Sequence, residues 1–408
     1  LGLTSRHKHT QIQSFPVLDG ILSPPPADAN PSSMDDQTPK NPPPTDGAAE
    51  EMDGDQSSAT MVDLTSFQLH DLTSVELPPT LTELDLTANR LSSLDPRIAH
   101  LSNLTKLSLR QNLIDDAAVE PLSNWDLLSG LEELVLRDNK LGKIPDVAIF
   151  KKLLVFDVSF NEIHSAQGLS KLSSTLRELY VSKNEVPKME EIDHLFQLRI
   201  LELGSNRLRV MENIEKLTNL EELWLGRNRI KQVNLCGLKC IKKISLQSNR
   251  LTSMTGFEGC VALEELYLSH NGIEKMEGLS TLVNLRVLDV SSNKLTSVDD
   301  IQNLPKLEDL WLNDNRIESL GSISDAVAGS REKLTTIYLA NNPCVRFPTT
   351  IKQLKHPHCH IISFAFRFPI TVFGPKFWLS SFHIACCRVI MHYICEVMLQ
   401  AAVGFFLL

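Results

Sequence analysis

One asparagine returns at nearly fixed intervals through most of this 408-residue chain, and no other feature limits its fold as much. The column reads Asn89, Asn112, Asn139, Asn161, Asn184, Asn206, Asn228, Asn249, Asn271, Asn293, Asn315 and Asn342. Nine of its eleven spacings are 21, 22 or 23 residues, and the other two, 112–139 and 315–342, are 27. Each Asn closes nearly the same string, L-x-x-L-x-L-x-x-N, as in "LRILELGSN" and "LEELWLGRN". One such string would mean little, because short apolar strands are common. Twelve in register describe an array of stacked units, each unable to bury its apolar side alone.

The template is that of a leucine-rich repeat. In the L-x-L piece, side chains alternate between two faces, so the Leu residues turn inward and the residue between them turns outward. Each Asn can satisfy backbone groups where the chain bends away from the strand. Return segments such as "MENIEKLTN" add further apolar residues to a shared core. Strands stack more closely than return segments, so the array curves. The predicted fold is an α/β repeat solenoid, a leucine-rich-repeat horseshoe. Its parallel sheet lines the concave face, and short helical or irregular return segments form the convex face. The repeat domain is assigned to residues 64–343, with 64–80 as a degenerate leading copy.

The flanks differ from the array. Residues 1–63 carry a net charge of −7 and proline runs such as "SPPPADANP". Such a composition buries too little apolar surface to offset chain entropy, which predicts a disordered acidic tail acting as a solvated spacer. Met34 is the expected native start, which would leave residues 1–33 outside the native chain. Residues 344–408 form an apolar tail in which the repeat is lost. A membrane span is one reading of it. His383, Arg388, His392 and Glu396 interrupt the run at a cost in lipid, so a non-native end is expected instead. Residues 64–342 are themselves acidic, at −8, which argues against nucleic acid as a partner. The eight cysteines show no disulfide framework and are read as reduced thiols of an intracellular protein.

No P-loop, zincin, dinucleotide-binding or nucleophile-elbow motif occurs, so an enzyme is not expected, nor a cofactor. His356, His358, Cys359 and His360 are too close along one segment to converge easily on one ion, and no second ligand pair follows. Cys236, four residues before Cys240, lies in a return segment and is read as a packed core thiol.

The informative residues are the outward ones. Between the last two Leu of each copy stand Asp85, Ser108, Val135, Asp157, Tyr180, Glu202, Trp224, Ser245, Tyr267, Asp289, Trp311 and Tyr338. Five of these are Tyr or Trp, in a chain with only four of each. A surface stack of rings would contribute only about 0.2–1 kcal/mol per pair, whereas a ring desolvated in an interface is worth roughly 2 kcal/mol or more. Two residues earlier stand Glu133, Glu178, Glu222, Glu265 and Asp309, while the first copies carry Lys106, Arg110 and Arg137. This predicts a concave wall of rings and carboxylates that grips a large, basic, partly apolar protein partner.

The copies "LELGSNRLRVMENI", "LYLSHNGIEKMEGL" and "LWLNDNRIESL" make the chain resemble the protein phosphatase 1 regulatory subunit 7 family across most of 64–342. The resemblance implies a non-catalytic subunit, working in nucleus and cytoplasm, that holds the phosphatase catalytic subunit on its concave face as one monomer in a hetero-complex. It carries the contact role onto Asp157, Tyr180, Glu202, Trp224, Asp309, Trp311 and Tyr338, with Tyr180 and Trp224 standing where the family often has Phe. The residue pattern adds Tyr267 and Asp289. A generic repeat adaptor for another partner is the competing function. Two departures stand out. The family's closing cap begins at "NNPCVRF" and is then lost, which predicts an exposed last core layer. The long copy around "DDAAVEPLSNWDLLSG" carries an insertion expected in a return-side loop.

Overall fold

A computed structural model of the chain describes residues 60–346, apart from 236 and 320, together with 360–362. Fourteen three-residue strands form one sheet in which every neighbour is the next strand in sequence and every pair is parallel. They are β1 (Met61–Asp63), β2 (Glu83–Asp85), β3 (Lys106–Ser108), β4 (Glu133–Val135), β5 (Val155–Asp157), β6 (Glu178–Tyr180) and β7 (Ile200–Glu202). There follow β8 (Glu222–Trp224), β9 (Lys243–Ser245), β10 (Glu265–Tyr267), β11 (Val287–Asp289), β12 (Asp309–Trp311), β13 (Thr336–Tyr338) and β14 (His360–Ile362). The result is the predicted solenoid, and each Asn-bearing copy supplies one strand, β2 through β13.

The register makes the core a set of columns. The central residue of each strand lies opposite the central residue of the next: Leu201 opposite Leu223, then Ile244, then Leu266. All four are fully buried. One coil shows the rest of the pattern. Around β8, Leu220, Leu223, Leu225, Ile230 and Leu235 are fully buried and Leu238 nearly so, which leaves the two outer residues of the strand on the open face.

The asparagines join coils as well as closing turns. Asn228 Nδ2 donates to the carbonyls of Leu225 in its own coil and Leu203 in the coil before, at 3.1 and 2.9 Å. Its Oδ1 accepts from the Leu208 N–H, also one coil back, at 3.0 Å. All twelve asparagines repeat both backward bonds. Each side chain therefore bonds three backbone groups, and successive asparagines share carbonyls: Leu203 accepts from Asn206 and Asn228, and Leu225 from Asn228 and Asn249. The residue before every one of them has a left-handed backbone, with φ from 51° to 59°, and none is glycine. The side-chain bonds hold the chain in a region that most residues avoid.

Among the described residues, the two short α-helices fall in the two 27-residue copies: α1 (Asp116–Val119), followed by 3-10 turns, and α2 (Gly321–Ala326). The insertion expected as a loop is thus helical, with Asp115 Oδ1 accepting from the Ala118 N–H at the start of α1 at 2.9 Å. Elsewhere the return segments are irregular or single 3-10 turns. The helical share is smaller than "α/β" suggests, because 22 residues leave little chain for a helix once strand, turn and core positions are filled.

Three expectations about the ends need correcting. The boundary at 64 is late, because β1 lies within the expected tail and pairs in register with β2. The boundary at 343 is early. A 3-10 turn, Pro343–Arg346, buries Cys344 and Val345 in the same core, and β14 pairs with β13. The last layer is consequently covered: Leu334, Ile337 and Leu339 are buried, not exposed. The rest of both tails and the His356–Cys359 run lie outside the described residues, as does Cys236. Among the described residues, no helix is long and apolar enough to cross a membrane.

Replacing one ladder asparagine tests this account. Asn228→Ala leaves the Leu208 N–H buried without a partner and removes one of the two asparagine bonds at each of the Leu203 and Leu225 carbonyls, which Asn206 and Asn249 still reach, and should cost roughly 1–3 kcal/mol in urea unfolding. A loss below about 0.5 kcal/mol would show that the ladder is dispensable.

Candidate protein-binding face

The nine predicted site residues all lie on one face of the sheet. Asp157, Tyr180, Glu202, Trp224, Tyr267, Asp289, Trp311 and Tyr338 occupy the third position of their strands, and Asp309 the first position of β12. In register, the third positions from β5 onward run Asp157, Tyr180, Glu202, Trp224, Ser245, Tyr267, Asp289, Trp311 and Tyr338. Rings recur on every second strand, roughly 10 Å apart, and Ser245 or a carboxylate fills each gap until the last two rings meet.

The carboxylates two residues earlier hold the rings in place. Tyr180 Oη donates to Glu178 at 2.8 Å, Trp224 Nε1 to Glu222 at 3.1 Å and Tyr267 Oη to Glu265 at 2.9 Å. Burial, with the adjacent glutamate next, pushes both Tyr180 and Tyr267 hydroxyls well above the usual phenol range, so they remain proton donors. The β12–β13 end differs. Trp311 and Tyr338 meet edge to face with centroids 5.5 Å apart, and Trp311 is 37% exposed. Asp309 accepts from Thr335 Oγ1 at 3.3 Å rather than from an aromatic ring.

Two of the nine are less available than the sequence suggested. Asp289 is 2% exposed, and its Oδ1 accepts from the Ser291 N–H at 3.0 Å and the Ser291 hydroxyl at 2.6 Å. Asp157 is also buried, accepts from the Ser159 N–H at 2.8 Å and faces Arg137 at 3.7 Å. Burial nevertheless holds its carboxyl above the usual range. Both aspartates brace the turn that leaves the strand, and the string Asp-x-Ser/Thr marks them. Asp63 and Asp85 make the same bond to Thr65 and Thr87.

Further charged and aromatic groups lie on or beside this face. Lys243 sits between Glu222 at 3.9 Å and Glu265 at 3.7 Å and neutralises the centre of the acidic wall. Past the strand ends, Phe160 lies under the Arg137 guanidinium at 4.4 Å and the Lys183 ammonium at 5.7 Å. Phe160 is the one large apolar residue in the left-handed column before the asparagines, at φ 56°.

Glu202, between Tyr180 and Trp224, is half-buried, and burial raises its pKa. The folded state therefore binds that proton more tightly than the unfolded chain does. The associated stability is present below the ordinary glutamate value of 4.5 and is lost as pH rises through the raised folded value. Glu202→Gln should match the wild type at low pH and become the more stable protein at neutral pH, read from urea midpoints between about pH 4 and 8. A variant less stable at neutral pH would contradict the desolvated state of this carboxylate.

A "Leucine rich repeat" model matches residues 79–123, and a "Leucine Rich repeats (2 copies)" model matches residues 283–325. Among solved structures, a leucine-rich-repeat protein of Leptospira interrogans superposes with a TM-score of 0.58 at 29% identity, covering 70% of this chain and 80% of that one. The internalin InlF of Listeria monocytogenes superposes at 0.55 with 19% identity, covering 66% and 85%, a likeness of fold alone. A curated Arabidopsis thaliana protein, "Protein phosphatase 1 regulatory inhibitor subunit PPP1R7 homolog", is 77% identical over 289 residues, which are 71% of this chain and 88% of that one. With the repeats, their register and this identity in agreement, the chain belongs to the leucine-rich-repeat regulatory subunits of protein phosphatase 1.

Proposed function

We propose that this chain is a non-catalytic subunit that holds the protein phosphatase 1 catalytic subunit on the ring-and-carboxylate face of its sheet, as a monomer in a hetero-complex. The observation that supports the reading most is the pinning of Tyr180, Trp224 and Tyr267 by the carboxylates two residues before them. Rings already fixed in one rotamer lose little entropy on binding, so more of their contact energy appears as affinity. The surrounding carboxylates suit a partner whose contact surface is basic at its rim and apolar at its centre. Glu202 and Glu133 are held above the usual carboxylate range chiefly by burial, and a cationic group of the partner would relieve that cost. Asp157 and Asp289 act mainly by shaping the face, and Trp224, Trp311 and Tyr338 make its central contacts.

Trp224→Ala combined with Trp311→Ala should weaken capture of the purified catalytic subunit by at least about 100-fold, with unchanged circular dichroism, since each ring is worth roughly 2 kcal/mol in a desolvated centre. Undiminished binding by a folded double variant would overturn the proposal.

A further inference from the structure

A second charged feature lies along the edge where the chain enters the strands. The residues immediately before β6 to β12 are Arg177, Arg199, Glu221, Lys242, Glu264, Arg286 and Glu308. Backbone hydrogen bonds of 2.7–2.8 Å join each to the next. They therefore stack at the sheet spacing, about 4.8 Å. From Glu221 onward the signs alternate, and the charges pair. Lys242 meets Glu221 at 2.6 Å, and Arg286 meets Glu308 at 2.8 Å and Glu264 at 3.9 Å.

The alternation fails at one place. Arg177 and Arg199 are consecutive, both exposed, and neighbour Leu154 on their other side. Among the described residues neither forms an ion pair. They line a groove of about 530 Å³ with Gln197, Lys239 and Lys242. Among its described lining residues the only carboxylate, Glu221, is already paired with Lys242. The groove thus holds three uncommitted cations in an array that is acidic overall. Two guanidiniums one strand apart repel each other until an anion lies between them, and each offers a planar fork suited to a carboxylate.

We propose that this groove is a second docking surface, for an acidic peptide segment rich in Asp and Glu on a protein partner. It engages that segment independently of the ring-and-carboxylate face. Arg177 and Arg199 take one carboxylate between them, and Lys239 takes another further along the groove. The contacts are solvent-exposed, so the interaction is salt-sensitive.

Fluorescence anisotropy of a labelled twelve-residue peptide of alternating Glu and Asp, titrated with the full chain at low salt, tests the assignment. Arg177→Glu with Arg199→Glu should weaken binding at least about 10-fold, as should raising the salt to about 0.3 M, while the Trp224→Ala, Trp311→Ala chain binds as the wild type does. The charge-reversed chain should still capture the phosphatase catalytic subunit, so failure here and failure of the proposed function give different results. Absence of peptide binding would overturn the proposal, as would equal binding by the charge-reversed chain. Displacement of the peptide by an equal concentration of inorganic phosphate would reduce the groove to a small-anion site and overturn it too.

Discussion

Each ladder asparagine reaches backward into the coil already laid down. Asn228 takes a carbonyl and an N–H from the preceding coil as well as a carbonyl from its own. Coils of 21 to 27 residues cannot close regular hydrogen bonding within themselves, so without this side chain each turn would bury orphaned backbone groups. The ladder sets the strand register, the register stacks Leu201 on Leu223 and Leu223 on Ile244, and the stacked columns form the core. The non-glycine residues held at positive φ show that the ladder also imposes a backbone that most of those residues would not choose.

Once the register is set, the outer face follows from it. A residue at the third position of a strand has only two neighbours of its kind, one from each adjacent strand. Rings placed on alternate strands therefore cannot collapse onto one another, and only Trp311 and Tyr338, on adjacent strands, meet. The carboxylate at the first position of the same strand then pins the ring at the third. The Glu-Leu-aromatic string thus builds a rigid contact element within three residues, and it occurs at β6, β8 and β10. This division of labour, with inward residues shared and outward residues varied, lets one scaffold present a specific surface.

Much of this was legible because periodicity is a one-dimensional signal. The strands β2 to β13, the buried Leu columns and the face to which Trp224 and Tyr267 belong all follow from spacing alone. What was not legible depends on what neighbours a residue. Asp157 and Asp289 occupy outward positions, yet each is buried and bonds the serine two residues later in the turn. The Asp-x-Ser/Thr string could have revealed them. Phe160 lies one residue before its asparagine, outside any strand position, and only the folded chain places Arg137 and Lys183 over its ring. The ends were misjudged for a related reason. A three-residue strand such as β1 or β14 carries almost no pattern of its own and is recognisable only by the neighbour with which it pairs.

A structure of the chain bound to the protein phosphatase 1 catalytic subunit tests the central claim most directly. The account predicts that the catalytic subunit covers the sheet face, with Trp224, Trp311 and Tyr338 in the buried centre and Glu202 against a cationic side chain. A complex in which the catalytic subunit sits on the return segments, leaving those rings exposed to solvent, would contradict it.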